Sequence, residues 1–367
     1  MGVRATQAGT SAYRDRLVGL STEHFHNQQN LWLSSIGLGT YLGHPNEITD
    51  IAYQIAITKA IELGCNVFDS SINYRSQRSE RVIGATLQQL FQQGKVRREE
   101  IVVATKGGFI PFDPKSASDP HSYRQKEFID TGIITSLDIV ADCHCMTPRY
   151  IENQLDKSLQ NLGLEAIDIY YLHNPETQLE EVGQTEFYNR IRNAFEILEK
   201  KVTEGKISFY GTATWYGYRR PSNARDFLDL SILVKIAQDL AGENHHFRFI
   251  QLPYNLAMTE AFTVANQTVN GQKLCILDAA KEYQITIMTS ASILQSRLAH
   301  NLPKDVQTHF PGLQTDAQRS IQFVRSTPGV STALVGMSQK AHAEENLRIA
   351  TTAPLTADNF LELFERT

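Results

Sequence analysis

The chain has 367 residues, 41% of them hydrophobic and 20% charged, with a formal net charge of −5 and a pI near 6.1. These values fit a soluble globular protein with a large core and exclude the basic footprint of a nucleic-acid binder. No apolar run approaches the roughly 18 residues of a membrane span, no signal-peptide core opens the chain, and four irregularly spaced cysteines, Cys65, Cys143, Cys145 and Cys275, point to a reducing, cytoplasmic setting.

Residues 1–21 are polar and read as a loosely held arm. His24-Phe25-His26, a turn over 27–30 and Leu31-Trp32-Leu33 read as a small β-hairpin. From there strand-like runs alternate with helical patterns. The first strand covers 36–40. The next helix places Ala52, Ile55, Ala56, Ala60 and Leu63 on one face and stops at Gly64. A second strand over 66–70 carries Asp69 at its end. Tyr74 follows in a turn, ahead of a helix over 79–91 with an apolar face of Ile83, Leu87, Leu90 and Phe91. A third strand over 100–105 leads into Lys106.

Residues 107–146 break the rhythm. They are rich in Pro, Asp and Ser, and longer than a plain β–α loop, which marks a functional segment such as the lid or wall of a site. Cys143-His144-Cys145 lies within them. Zinc needs four ligands in separated pairs, and no second Cys/His pair stands at such a spacing, so the triplet reads as loop sequence and no metal is expected. Thr147 and Pro148 then open a helix facing inward through Ile151, Leu155, Leu159 and Leu162, ended by Gly163. The fourth strand, 167–172, leads to His173. A helix near 187–204 precedes the fifth strand at 207–212, and one over 222–240 precedes the sixth at 247–252. A helix around 272–283 leads to the seventh strand, 285–289. Helical sequence near 314–325 leads to the eighth, 333–335, and helices near Ala341 and Asp358 close the chain.

About eight β-then-α units without a composition break predict an α/β protein, one domain over 1–367, built as a closed (β/α)8 TIM barrel. An N-terminal β-hairpin and a long loop after strand three are added to it. A doubly wound sheet is disfavoured, because no G-x-G-x-x-G turn follows the first strand.

Parallel barrels place chemistry at the C-terminal ends of their strands. Asp69, Lys106 and His173 end strands two, three and four, and Tyr74 lies just past the first of these. Singly, each is an ordinary strand-ending polar residue. Together, a carboxylate, an ammonium, a phenol and an imidazole on three neighbouring strands form a site-like cluster. Free tyrosine titrates near pH 10 and donates a proton poorly at neutral pH. An adjacent ammonium lowers that pKa, a carboxylate holds the ammonium in place, and the imidazole orients a substrate oxygen. This division of labour suits protonation of a carbonyl oxygen while a hydride reaches the carbon.

With these pieces in order, the chain resembles the aldo-keto reductase family from about Leu31 to Arg348. The resemblance is carried by Gly37-Leu38-Gly39-Thr40, by Asn66 through Tyr74 with Ser79-Glu80 and Gly84, by Thr105-Lys106, and by Asp168 through His173. It continues in Gln251 through Tyr254-Asn255, Gly336-Met337-Ser338 and Glu345-Asn346. It implies a barrel that binds a nicotinamide dinucleotide, usually NADPH, without a Rossmann fold. It also implies a tetrad of Asp69, Tyr74, Lys106 and His173 with Tyr74 as general acid/base, acting on a small-molecule carbonyl or alcohol. The cofactor contacts it implies are Gly39, Thr40, Asp69, Gln251, Ser290, Ser338, Lys340, His342, Glu345 and Asn346. Gly211-Thr212-Ala213-Thr214-Trp215 departs from the Ser and Asn/Arg residues usual after strand five. Thr289 stands where an aromatic residue commonly stacks on the nicotinamide, and the arginine that many relatives place at the position of His342 is missing. Lys340 and His342 favour NADP(H) through the 2′-phosphate, with NAD(H) as the alternative.

Tyr41, Phe109, Trp215 and Tyr254, all in or just past strand-end segments, are the substrate-pocket candidates. The expected activity is NADP(H)-dependent reduction of aldehydes or ketones, or its reverse. Two rival readings are a cofactor-sensing regulator resembling potassium-channel β-subunits and an NAD-preferring sugar dehydrogenase.

Overall fold

The structure, a computed structural model, describes residues 2–365. Eight parallel strands close a barrel: β3 (Ile36–Gly39), β4 (Val67–Asp69), β5 (Val102–Gly107), β6 (Ile167–His173), β7 (Ile207–Ala213), β8 (Phe247–Pro253), β11 (Thr286–Ser290) and β12 (Val330–Gly336). They are adjacent in chain order, and β12 pairs with β3 to complete the ring. The hairpin of β1 (Phe25–Gln28) and β2 (Leu31–Ser34) precedes them, and β9 (Gln267–Val269) and β10 (Gln272–Leu274) form a second hairpin outside the ring. The (β/α)8 barrel expected from the alternation is the observed fold.

Strand side chains alternate between two cores, as a period of two requires. Val67, Val102, Ala104, Ile169, Tyr171, Phe249, Met288 and Leu334 pack inside the barrel with Leu31 and Leu33 of the hairpin. Phe68, Val103, Tyr170, Ile250 and Ile287 point outward, against the helices. Those helices are α2 (Glu47–Glu62), α3 (Arg78–Gln92), α5 (Pro148–Leu162), α6 (Gln184–Thr203), α7 (Leu230–Ala241), α9 (Ile276–Glu282), α11 (Asp316–Ser326) and α12 (Lys340–Leu347). The remaining helices are α1 (Gln7–Asp15), α4 (Pro120–Arg124), α8 (Glu260–Thr263) and α10 (Lys304–His309), and α13 (Ala357–Glu365) closes the chain.

Several expectations are corrected. The arm over 2–21 is packed: Thr6 caps α1 by accepting from the Gly9 N–H, and buried Tyr13 donates to the carbonyls of Ile61 or Cys65 at 2.6 and 3.1 Å. Residue 1 of that arm lies outside the described residues. On α2 the buried face is Tyr53, Ala56, Ile57, Ala60 and Ile61, while Ile55 is exposed. This helix is apolar on both sides, so periodicity could not choose between them. The helix expected over 222–240 begins at Leu230, capped by Asp229, and the one expected from 272 begins at Ile276 because the β9–β10 hairpin takes its start. Residues 107–146 form a packed wall, with α4 running into a wider π-type turn at Gln125–Ile129 and burying Tyr123, Phe128, Ile134, Cys145 and Met146.

Candidate active site at the barrel mouth

Asp69, Lys106 and His173 are the last or next-to-last residues of β4, β5 and β6, so three neighbouring strands deliver them to one end of the barrel. Lys106 is fully buried. Its Nζ donates to Asp69 Oδ1 at 2.5 Å and to the Ser70 carbonyl at 2.7 Å, which uses two of its three donors. Gln251 Nε2 donates to the other Asp69 oxygen at 2.8 Å, so the carboxylate is fixed from both sides. The Tyr74 ring lies with its centroid 5.0 Å from Lys106 Nζ. Tyr41 meets it edge-on at 5.0 Å and His173 at 5.6 Å. His173 Nδ1 lies 3.0 Å from Ser71 Oγ.

Burial pulls the Lys106 ammonium below its ordinary pKa, against the Asp69 carboxylate, which opposes the shift. His173 is held well below the usual imidazole range by burial and by the Lys106 charge, so the ring is neutral. Tyr74 departs from expectation. Burial, reinforced by Asp69 and Tyr41, pushes its phenol well above the ordinary value instead of lowering it. The physical reason is that the Lys106 charge is already paired with Asp69, while the phenol sits in surroundings that disfavour its anion.

Immediately past Tyr74, Arg75, Ser76 and Gln77 all adopt left-handed backbone, with φ of 49°, 55° and 67°. Side chains disfavour this region. The turn is held by the buried Arg75 guanidinium, which donates to the His44 carbonyl at 2.9 Å and pairs with Asp50 at 2.6 Å. Gln77 pins the other end, donating to Tyr123 Oη at 2.9 Å and accepting from Asn161 Nδ2 at 3.1 Å.

These groups open on a cavity of about 450 Å³ lined by Gly39, Thr40, Tyr41, Asp69, Tyr74, Phe109, His173, Trp215, Gln251 and Ser290. Ten of the residues singled out in the sequence therefore meet there. Lys106 stands behind that wall, reaching it through Asp69. Tyr254 does not meet them. It is fully buried and stacks on Phe323 at 5.6 Å, behind the barrel wall, so its candidacy as a substrate contact is withdrawn. Thr289 is likewise buried, with its hydroxyl donating to the Thr332 carbonyl. Phe109 alone of residues 107–146 reaches the cavity.

Ser338, Lys340, His342, Glu345 and Asn346 lie outside the cavity, on α12 and its approach, past Gly336 at the cavity rim. Lys340 and His342 are exposed, and Lys340 Nζ is 3.6 Å from Glu344. Asn346 is 3% exposed, and its Oδ1 has no partner among the described residues. Other lining residues are Asn73, Thr214 and Ile293, which lie in segments singled out in the sequence, and Asn174 and Gln295, which were not anticipated. Thr214 is 4% exposed and its hydroxyl is also without a partner. It lies directly after β7, in the segment where the resemblance expects Ser and Asn/Arg residues.

A closed parallel barrel with this cluster at the C-terminal ends of its strands is the architecture of a (β/α)8 enzyme. The profile of the Aldo/keto reductase family matches residues 35–365. The chain is 23% identical over 355 residues to the oxidoreductase YqkF of Bacillus subtilis, covering 92% of this chain and 94% of that protein. With the NADP(+) aldo-keto reductase yakc of Schizosaccharomyces pombe it shares 32% identity over 162 residues, a stretch that spans 44% of this chain and only 36% of that protein. Its fold is similar to an aldo/keto reductase from Klebsiella pneumoniae solved with NADP and acetate, with a TM-score of 0.62, 19% identity, and 94% and 95% of the two chains covered. This chain belongs to the aldo/keto reductase family, and it is an oxidoreductase.

Proposed function

We propose that this enzyme uses NADP(H) to reduce an aldehyde or ketone to the alcohol, or runs the reverse step, with Tyr74 as the general acid/base. The observation that carries this reading is the buried Lys106 ammonium, held 2.5 Å from Asp69 and 5.0 Å from the centre of the Tyr74 ring. The cofactor supplies hydride for the carbonyl carbon. Burial keeps the Tyr74 phenol protonated, so the proton required at the carbonyl oxygen is stored beside the cavity. When that proton leaves, the Lys106 charge offsets the phenolate in surroundings of low dielectric. Asp69 keeps Lys106 in place. Neutral His173 orients the carbonyl oxygen, and Tyr41, Phe109 and Trp215 exclude water from it.

The residues present fit a nicotinamide dinucleotide. Gln251 commits its amide N–H to Asp69, which leaves its oxygen for a carboxamide. The unpartnered Thr214 hydroxyl lines the same cavity, and the unpartnered Asn346 oxygen on α12 suits an amino group of the adenine. Lys340 and His342, at the exposed first turn of α12, would hold a 2′-phosphate together with the helix N–H groups.

Steady-state assays of wild type and Tyr74→Phe with NADPH and a panel of carbonyls test the assignment. Turnover should fall about 10²- to 10⁴-fold, with NADPH affinity by fluorescence titration unchanged. Wild-type turnover in the variant would refute the role of Tyr74. Equal affinities for NADPH and NADH would refute recognition of the 2′-phosphate, and cofactor binding without turnover of any carbonyl would favour a regulatory protein.

A further inference from the structure

His144 belongs to the triplet Cys143-His144-Cys145, whose side chains do not converge. Cys145 Sγ lies 3.5 Å from Thr147 Oγ1, Cys143 is half-buried, and His144 is fully buried at the point where the 107–146 segment returns to the barrel. That return is stitched to its own start. The Cys145 N–H donates to the Gly108 carbonyl at 2.9 Å, and the Ile110 N–H to the Cys143 carbonyl at 2.7 Å.

The His144 ring sits between two partners. Its Nε2 is 2.7 Å from the backbone carbonyl of His173, and its Nδ1 is 2.9 Å from Gln178 Nε2. The direction of each bond follows from the far end of the chain. Arg190 is a donor only, and its Nη1 donates to Gln178 Oε1 at 2.5 Å. This fixes the Gln178 amide with its N–H toward His144, so Nδ1 accepts and the ring proton lies on Nε2. The Nε2–H then donates to the His173 carbonyl. One tautomer satisfies every member.

The surroundings of the ring are closely packed. A Cβ at Gly108, where φ is +142°, would stand 2.7 Å from His144 Nε2 and 3.0 Å from the His173 oxygen. The next residue, Phe109, packs edge-on against both rings, at 5.2 Å from His144 and 5.0 Å from His173. Beyond His173 the backbone turns through Asn174 in a left-handed conformation, and the last peptide of β6 is held on two sides, by the Asn174 N–H donating to the Ala213 carbonyl at 2.6 Å and by the His173 carbonyl accepting from His144.

We infer that His144 is a positioning residue for His173: through Arg190, Gln178 and His144 a directed chain of hydrogen bonds fixes the terminal peptide of β6, and with it the angle at which the His173 ring meets Tyr74 and the substrate oxygen. This rests on the role proposed above for His173. The 107–146 segment thereby acts on the chemistry from behind, through the backbone, as well as through Phe109.

Three measurements test it. ¹⁵N NMR of the imidazoles in the full-length wild-type enzyme should show His144 as the neutral Nε2–H tautomer, and an Nδ1–H tautomer would overturn the inference whatever the variants do. His144→Phe should keep NADPH affinity and KM for the carbonyl while kcat falls roughly 10- to 100-fold, the range for a slightly misplaced group. His144→Gln, whose side-chain N–H can stand in for Nε2–H, should recover most of that loss. If His144→Phe does not fold, Gln178→Leu, which removes the group that sets the tautomer, should give a smaller fall in kcat at constant KM. An unchanged kcat in whichever variant folds, or a fall that His144→Gln does not restore, would overturn it. On a Tyr74→Phe background His144→Phe should add little, since both act on the same proton transfer. A wild type that turns over no carbonyl with NADPH would instead defeat the proposed function, which separates the two failures.

Discussion

Each end of the barrel holds a buried ion pair, and the two are built to opposite ends. At the bottom, Arg98 pairs with Asp168 at 2.8 Å. The Ala5 and Val103 N–H groups both donate to Asp168 at 2.7 Å, and Arg98 donates to the Ile101 and Ala166 carbonyls at 2.6 and 2.9 Å. Main chain from the N-terminal arm, from β5 and from the residues leading into β5 and β6 encloses the pair, leaving only Arg98 Nε without a partner among the described residues. At the mouth, Lys106 and Asp69 are as close and as buried, but Asp69 lines a cavity and Lys106 faces the ring of Tyr74. The same chemistry serves as a staple where main chain encloses it and as a candidate reactive centre where it borders a cavity.

Substitutions at the two ends should therefore fail in different ways. The largest effect is the loss of two to four decades of turnover in Tyr74→Phe, with the unfolding midpoint in urea nearly unmoved. Asp168→Asn should do the reverse. It leaves Arg98 charged and unpaired, which costs about 3–5 kcal/mol of stability by denaturant titration, while the folded fraction keeps wild-type kcat. If Asp168→Asn lowered kcat at constant fold, the division between the two ends would break down.

A smaller effect is expected from pH. Burial holds His24 at about 3 and His144 at about 4, both far below the unfolded value near 6.5. Above pH 6.5 both states are neutral and the stability is fully present. As pH falls from 6.5 toward 4 the unfolded chain takes up protons that the native rings refuse, so stability is lost, by about 1.4 kcal/mol per pH unit per histidine at most. Chemical denaturation at pH 7 and pH 5 measures this, and His24→Asn, replacing the lower-pKa ring at the barrel bottom, should flatten the difference. Smaller still, Trp215→Ala should raise KM for the carbonyl several-fold, while Tyr254→Phe should leave KM unchanged, because only the first lines the cavity.

The barrel was legible in the alternation of about eight apolar strand runs with helical patterns, and Asp69, Lys106 and His173 were visible because each ends or follows one of those runs. Tyr254 shows where that logic was applied too loosely. Gln251 faces the cavity, so alternation turns Leu252 and Tyr254 toward the helices, and parity along the strand was sufficient to exclude it. Other features had no local signal. The packed arm depends on Tyr13 finding carbonyls about fifty residues away. The direction of the His144 bonds depends on Arg190, on α6 and 46 positions further along the chain. The pKa of Tyr74 could not be read from the presence of a lysine alone, because the balance between burial and charge is set by which partner that lysine has already taken.

The left-handed turn at Arg75, Ser76 and Gln77 has a consequence for how this protein can change. Three consecutive non-glycine residues held there carry a penalty of about 1–2 kcal/mol each, offset by the grips of Arg75 on His44 and Asp50 and of Gln77 on Tyr123 and Asn161. At Arg75 or Gln77 glycine would relieve the backbone and release a grip together, giving Tyr74 more room to wander. Robustness and reactivity are thus set against each other at these two positions, and of the three only Ser76, which makes none of those grips, leaves adaptation to heat a gain within the turn.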